Sequence, residues 1–311
     1  MDLEHLLATI KNSEHYRIIE KYKKPEYYHV DNNCSKHIGV FIDVETTGLD
    51  HIRDKIIELG LVCFEYSSDG RIFSILEEYN SYEDPKCPIP THITELTGIS
   101  DEMVRGHNID IDKVKTYIKN ANLIIAHNAA FDRKFIENRI PSLEKKPWGC
   151  LMKDIKWKAE GIESPKLEYI AYRCGFFYEG HRAVNDCLAG VHVLSHKLPK
   201  SEKYVLHSLL ENSSQNFIKL YAVKAHYDYK DILKSRGYKW VYCKDANTQA
   251  WAIEIPENLV AYELEYLRSK IYNSKVSLPF EIIDGYSRFS ISELEQNYTR
   301  HRDIIERVSL L

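Results

Sequence analysis

Asp43 and Glu45 stand two positions apart in Val40–Leu49, V-F-I-D-V-E-T-T-G-L, a run otherwise dominated by apolar, strand-forming residues. Successive side chains on a strand point to opposite faces, so positions i and i+2 share one. Both carboxylates therefore leave a buried strand in the same direction. Carboxylates are rarely buried unless paired or bound to a cation. Two side by side repel unless a cation lies between them, so this pair implies a cation site with oxygen ligands.

Further ligands are offered downstream. Leu123–Phe135, L-I-I-A-H-N-A-A-F-D-R-K-F, carries Asp132, and Gly180–Gly190, G-H-R-A-V-N-D-C-L-A-G, carries His181 and Asp186. Taken singly, each patch also suits an ordinary role. D-x-E can be a salt-bridged edge strand, Asn128 can cap a helix, and H-R-A-x-x-D can be a charged helix face. Taken together, in this order and context, the four carboxylates and one histidine resemble the DnaQ-like exonucleases. They match the DEDDh branch, which includes the proofreading subunit of bacterial replicative polymerase, RNase T and oligoribonuclease.

The resemblance implies 3′-to-5′ hydrolysis of phosphodiester bonds with two Mg²⁺ or Mn²⁺ ions, which prefer oxygen ligands. By it Asp43 bridges both ions, Glu45 and Asp186 complete one site, and Asp132 supports the other. His181, five residues before Asp186, becomes the general base. The sister branch has a tyrosine four residues before the last aspartate; here that position is Arg182. Expected substrate contacts are Thr46, Leu49, His92 within Pro90–Ser100 (P-T-H-I-T-E-L-T-G-I-S), Asn128 and Phe131.

These residues need a scaffold. Strands are expected over 38–46, Ile56–Tyr66 and Ile72–Tyr79, with a hairpin turn at Asp69-Gly70. Helical pieces follow over 91–120, then a short strand at Leu123–Ala126 running into a helix near Ala130, and helices over 166–175 and 182–197. Strands followed by alternating helices and strands indicate a mixed α/β sheet, and the resemblance implies the ribonuclease-H-like fold. The expected organisation is an N-terminal helix and lead-in over 1–37, the exonuclease domain over 38–198, a linker over 199–216 and a small α/β domain over 217–311. In the last, 217–229 alternates like a strand, Lys230–Ser235 reads as a helix, Gly237–Val241 and Gln249–Ile255 as strands, and Glu257–Tyr272 as a helix.

Composition excludes several classes. The 311 residues hold no run of eighteen apolar residues, so no spanning helix is expected. The seven cysteines are scattered and form no C-x-x-C pair, which argues against a disulfide framework or structural zinc and for a reducing cytoplasm. The N-terminus lacks the basic start and long apolar core of a signal peptide. Net charge is −4, which a nuclease binding through metal ions tolerates, because local charge matters more than the total.

Residues 219–246 run against that total, with seven basic and three acidic residues interleaved with aromatics. This suits either a strand-gripping module or an ordinary sheet with a solvated lysine face. Lys230–Trp240 also resembles a C-terminal extension of some bacterial DnaQ-like proteins. Gln215–Tyr221, Q-N-F-I-K-L-Y, loosely fits a sliding-clamp-binding pattern. The expected substrate is a single-stranded DNA 3′ end, with RNA 3′-end trimming as the alternative and a non-catalytic binding module as the alternative of another class. Proofreading would act on a polymerase in trans.

Overall fold

The computed structural model describes residues 3–31, 33–273 and 276–291, which divide into a unit ending at Ser213 and a unit starting at Ser214. In chain order the first holds α1 (Leu3–Lys11), β1 (Glu20–Lys21), β2 (His37–Thr46), β3 (Ile56–Tyr66), β4 (Ile72–Tyr82), α2 (Thr91–Thr97), α3 (Asp101–Val104) and α4 (Ile111–Asn120). It continues with β5 (Leu123–Ala126), α5 (Ala129–Arg139), β6 (Trp148–Cys150), α6 (Leu167–Cys174), β7 (Phe176–Phe177), α7 (Ala183–Ser195) and α8 (Val205–Ser213).

Five strands form one mixed sheet in the order β4-β3-β2-β5-β6. The pairs β4–β3 and β3–β2 are antiparallel, and β2–β5 and β5–β6 are parallel. This is the ribonuclease-H-like sheet that the sequence led us to expect. Strand β3 is buried at nearly every position, as befits an apolar run covered on both faces. Asp69-Gly70 makes the β3–β4 turn, with Gly70 at φ 85°, a conformation open to glycine.

Helix α7 lies unusually close to the sheet. A Cβ on Gly60 of β3 would overlap the backbone of Ala183 and Val184, and one on Gly190 of α7 would overlap the Phe41 ring. Both contacts require glycine. Phe41, Val62, Phe64, Ile125, Cys187, Val191 and Leu194 form the core beneath the helix.

Two stretches differ from expectation. Residues 199–216, expected as a linker, contain α8, whose Leu206 and Leu209 are fully buried in the same core. The leading segment is more than a lead-in: β1 pairs in parallel with β7, and the Tyr28 N–H donates to Phe73 O at 2.7 Å.

Tyr22 and Tyr28 of that segment cover a histidine pair. The His192 ring lies 5.1 Å from Tyr22, 4.6 Å from Phe176 and 4.8 Å from His196. Burial, then the His196 charge, pushes His192 down to about 4, and burial also lowers His196. The unfolded chain protonates near 6.5, so it takes up protons first. The stability these rings contribute is complete above about pH 6.5 and is lost as pH falls towards about 4. His192→Phe is expected to lose less melting temperature than the parent between pH 7.5 and 4.5. Equal losses would show that His192 does not set the acid limb.

The second unit contains β8 (Phe217–Ala222), α9 (Lys230–Ser235), β9 (Lys239–Cys243), β10 (Thr248–Pro256), α10 (Val260–Tyr266) and β11 (Phe280–Ile283). Its strands are all antiparallel, in the order β11-β8-β10-β9. Strand β8 is six residues long, not the thirteen expected over 217–229. The clamp-like peptide ends in this central strand. Ile218 and Leu220 are fully buried, and the buried Tyr221 donates its hydroxyl proton to Glu281 at 2.5 Å. Those side chains serve the unit's own interior. Among the described residues no helix is long and apolar enough to cross a membrane.

Candidate active site

Strand β2 carries Asp43 and Glu45 on one face, and α7 brings Asp186 to them in its first turn. One carboxylate oxygen from each of the three lies within 4.8 Å of the others. Asp132, in the first turn of α5, is buried and accepts the Val44 N–H at 3.2 Å, which ties it to the strand between Asp43 and Glu45. Among the described residues Asp43, Glu45, Asp132 and Asp186 form no ion pair with a basic side chain.

The electrostatics reflect that crowding. Burial, then Asp132, Asp186 and Glu45, pushes Asp43 well above the carboxylate range. Burial, then Asp186 and Glu58, raises Glu45 to about 8. Burial is also the main cause that raises Asp132 to about 7 and Asp186 to about 6. Four carboxylates that resist losing their protons together fit a group that supplies positive charge. With oxygen donors alone, the set suits a hard divalent cation.

Asp186 is held from two sides. The Tyr178 hydroxyl donates to Oδ1 at 2.9 Å, and the Arg182 N–H donates to Oδ2 at 3.1 Å. His181 precedes this turn with φ 59°, in the left-handed region that a residue bearing a Cβ adopts at a cost. It is half-exposed, with Nε2 3.7 Å from Glu168 Oε1 on α6.

Behind the carboxylates sits Glu58 of β3, with no solvent exposure. It stands opposite Glu45 in the strand register, where like charges repel. Arg182 answers it, with Nη2 donating to Glu58 Oε1 at 2.9 Å and to the Tyr82 hydroxyl at 2.7 Å. Glu58 also accepts the Ala183 N–H at 3.0 Å and Asn80 Nδ2 at 2.9 Å. One buried carboxylate thus fastens the start of α7 to the sheet. The sequence reading passed over Glu58, Tyr178 and Glu168, and used Arg182 only to exclude a tyrosine. Glu58 carried the same signal as Asp43, a carboxylate inside an apolar strand. Tyr178 and Glu168 had none.

The expected substrate contacts divide. Leu49 is 85% exposed on the loop after β2, and Ile52 beside it, not expected, is 75% exposed. Asn128 precedes α5 at the N-cap position, but its side chain makes no capping bond. Phe131 packs on Phe135 with centroids 4.8 Å apart, one position before Asp132. Thr46 is buried, and its hydroxyl donates to Gly48 O at 2.6 Å, inside the turn. His92 is exposed on α2, and among the described residues no hydrogen bond, ion pair or ring contact ties it to the carboxylates.

Comparison with known proteins places this geometry in a family. The exonuclease family model matches residues 40–194. A PolC-type DNA polymerase III of Clostridium perfringens is 34% identical over 171 residues, which cover 53% of this chain and 11% of that protein. The corresponding protein of Bacillus subtilis is 33% identical over 99 residues, covering 31% and 6%. The chain thus spans about a tenth of the length of the curated relatives it matches. Among solved structures, exonuclease X in complex with 5′-overhanging duplex DNA has a TM-score of 0.41 at 21% identity, covering 56% of this chain and 99% of that one. Exonuclease I has a TM-score of 0.48 at 13% identity, covering 88% and 68%. Residues 40–194 are thus an exonuclease-family domain, of the DnaQ-like 3′–5′ type.

Proposed function

We propose that the first unit hydrolyses phosphodiester bonds at single-stranded DNA 3′ ends, releasing nucleoside monophosphates, with divalent cations. The observation that supports this most directly is the convergence of Asp43, Glu45 and Asp186. In this reading they hold one Mg²⁺ or Mn²⁺, and Asp132 with Asp43 holds a second. Bound there, the cations supply stabilisation of charge on the attacking and leaving oxygens. His181 takes the proton from the attacking water, a task an imidazole performs near neutral pH. Glu168 keeps the ring at the rim and pairs with the imidazolium once it forms. Leu49 and Ile52 offer an apolar surface to the terminal base. Asn128 and Phe131 border the strand's path beside Asp132.

DNA is preferred over RNA because the curated relatives are DNA polymerases. The test uses 5′-labelled DNA and RNA of matched sequence with added Mg²⁺ or Mn²⁺. A ladder shortening from the 3′ end is expected, faster on DNA. A faster RNA ladder would reassign the sugar, and no cleavage by folded protein would overturn the enzyme reading. In the same assay His181→Ala is expected to slow hydrolysis by roughly 10²–10⁴-fold while keeping the thermal shift induced by Mn²⁺. Lost Mn²⁺ binding at an undiminished rate would make His181 a ligand instead.

A further inference from the structure

Strand β9 ends the sheet of the second unit, hydrogen-bonded on one side only, to β10. Its Trp240 is 57% exposed and its Tyr242 is 49% exposed. Two positions apart on a strand, they share a face at a spacing of about 6.8 Å. Trp240 meets Trp251 of β10 edge-on, with centroids 5.2 Å apart, and Lys234 Nζ of α9 stands 5.9 Å from the Trp251 centroid. Tyr242 is held by a hydrogen bond to Asn247 in the following turn.

Aromatic side chains normally bury their area, so two open ones on a rigid edge call for a partner. The charges around them are not neutralised. Lys234 and Lys244 are exposed, and among the described residues neither forms an ion pair; Lys239, one position from Trp240, points to the other face of the sheet. The exposed acids nearby are Asp231 and Asp245. Arg236, by contrast, is committed to Glu263 at 2.5 Å. An open aromatic pair with free lysines around it is what a single strand needs: faces for successive bases and cations for its phosphates.

We infer that the Trp240–Tyr242 edge of the second unit binds single-stranded nucleic acid by base stacking, with Lys234 and Lys244 meeting the backbone. The occupant is chosen because the same chain carries a domain of the exonuclease family; to that extent the inference rests on the proposed function. The site is additional to the carboxylate centre, and hydrolysis does not require it.

The test uses the full chain and a 5′-fluorescein single strand of about 30 deoxythymidines, titrated by anisotropy in chelator so that no cleavage occurs. Trp240→Ala/Tyr242→Ala is expected to weaken binding by on the order of tenfold or more, as loss of stacking at two bases implies. Trp240→Phe should retain most of the affinity. Hydrolysis of a four-nucleotide strand should be equal in parent and double variant. Should the double variant not fold, Lys234→Glu/Lys244→Glu, which changes only exposed side chains, is expected to weaken binding at low salt. An affinity that neither variant changes overturns the inference, even if the parent hydrolyses DNA. Trp240-dependent binding by a parent that hydrolyses nothing would uphold it while the enzymatic reading fails.

Discussion

Asp43→Asn is expected to lower hydrolysis of a labelled single strand by about 10³-fold or more. The substitution keeps side-chain size and removes one charged ligand from the centre of the carboxylate cluster. Cation stabilisation of the transition state contributes several kcal/mol, and each 1.36 kcal/mol is a factor of about ten. The same variant should show two opposite thermal effects. Without metal it should melt higher than the parent, because burial and four neighbouring carboxylates disfavour the Asp43 charge. With Mn²⁺ it should lose the stabilisation that the parent gains, which is about 2.7 kcal/mol at a hundredfold excess over Kd. Turnover undiminished in the folded variant, or an unaltered Mn²⁺ shift, would remove Asp43 from the site.

Glu58→Ala is the second large effect, and it acts first on the fold. Glu58 is fully buried and Arg182 about a third exposed, so the charge left behind is partly solvated and the cost is roughly 2–4 kcal/mol, mostly from the hydrogen bonds that Glu58 accepted. The substitution leaves the Ala183 N–H, which donated to Glu58 at 3.0 Å, without its acceptor. For a domain of this size the melting temperature should fall by roughly 4–16 °C. Activity at low temperature should fall as well, since His181 and Asp186 flank the anchored turn. Glu58→Gln/Arg182→Met should be milder than Glu58→Ala alone, because the amide oxygen can still accept the Ala183 N–H and no charge is left without its partner. A drop of only a degree or two for Glu58→Ala would mean that packing at Gly60, not the ion pair, seats α7.

The carboxylates were legible because their signal is local. Asp43 and Glu45 sit in an apolar run at strand spacing, and Asp132 and Asp186 follow in short distinctive contexts. Glu58 was equally visible as a residue but not as a partner. Its role depends on the β2–β3 register, which brings it opposite Glu45. The bond from the Thr46 hydroxyl was not legible, because its acceptor, Gly48 O, is created by the turn itself. Strand β6 has three residues and β11 four, too few for a periodic pattern to emerge. Helix α8 follows the Leu198-Pro199-Lys200-Ser201 break and reads as a linker until its leucines are seen to complete the core of the sheet.

The backbone contact at Gly60 has a consequence for which ion the centre admits. Two of the three converging carboxylates stand on β2 and the third on α7, so their separation follows the gap between sheet and helix. No side chain pads that gap; Gly60 meets Ala183 and Val184 main chain against main chain. Main chain in contact cannot adjust its spacing as a rotamer can. Mg²⁺ takes oxygens at about 2.0–2.1 Å and Ca²⁺ at about 2.3–2.6 Å, with more ligands. In the proposed reading, the absence of a methyl group on a neighbouring strand thus limits the aperture that the carboxylates offer a cation.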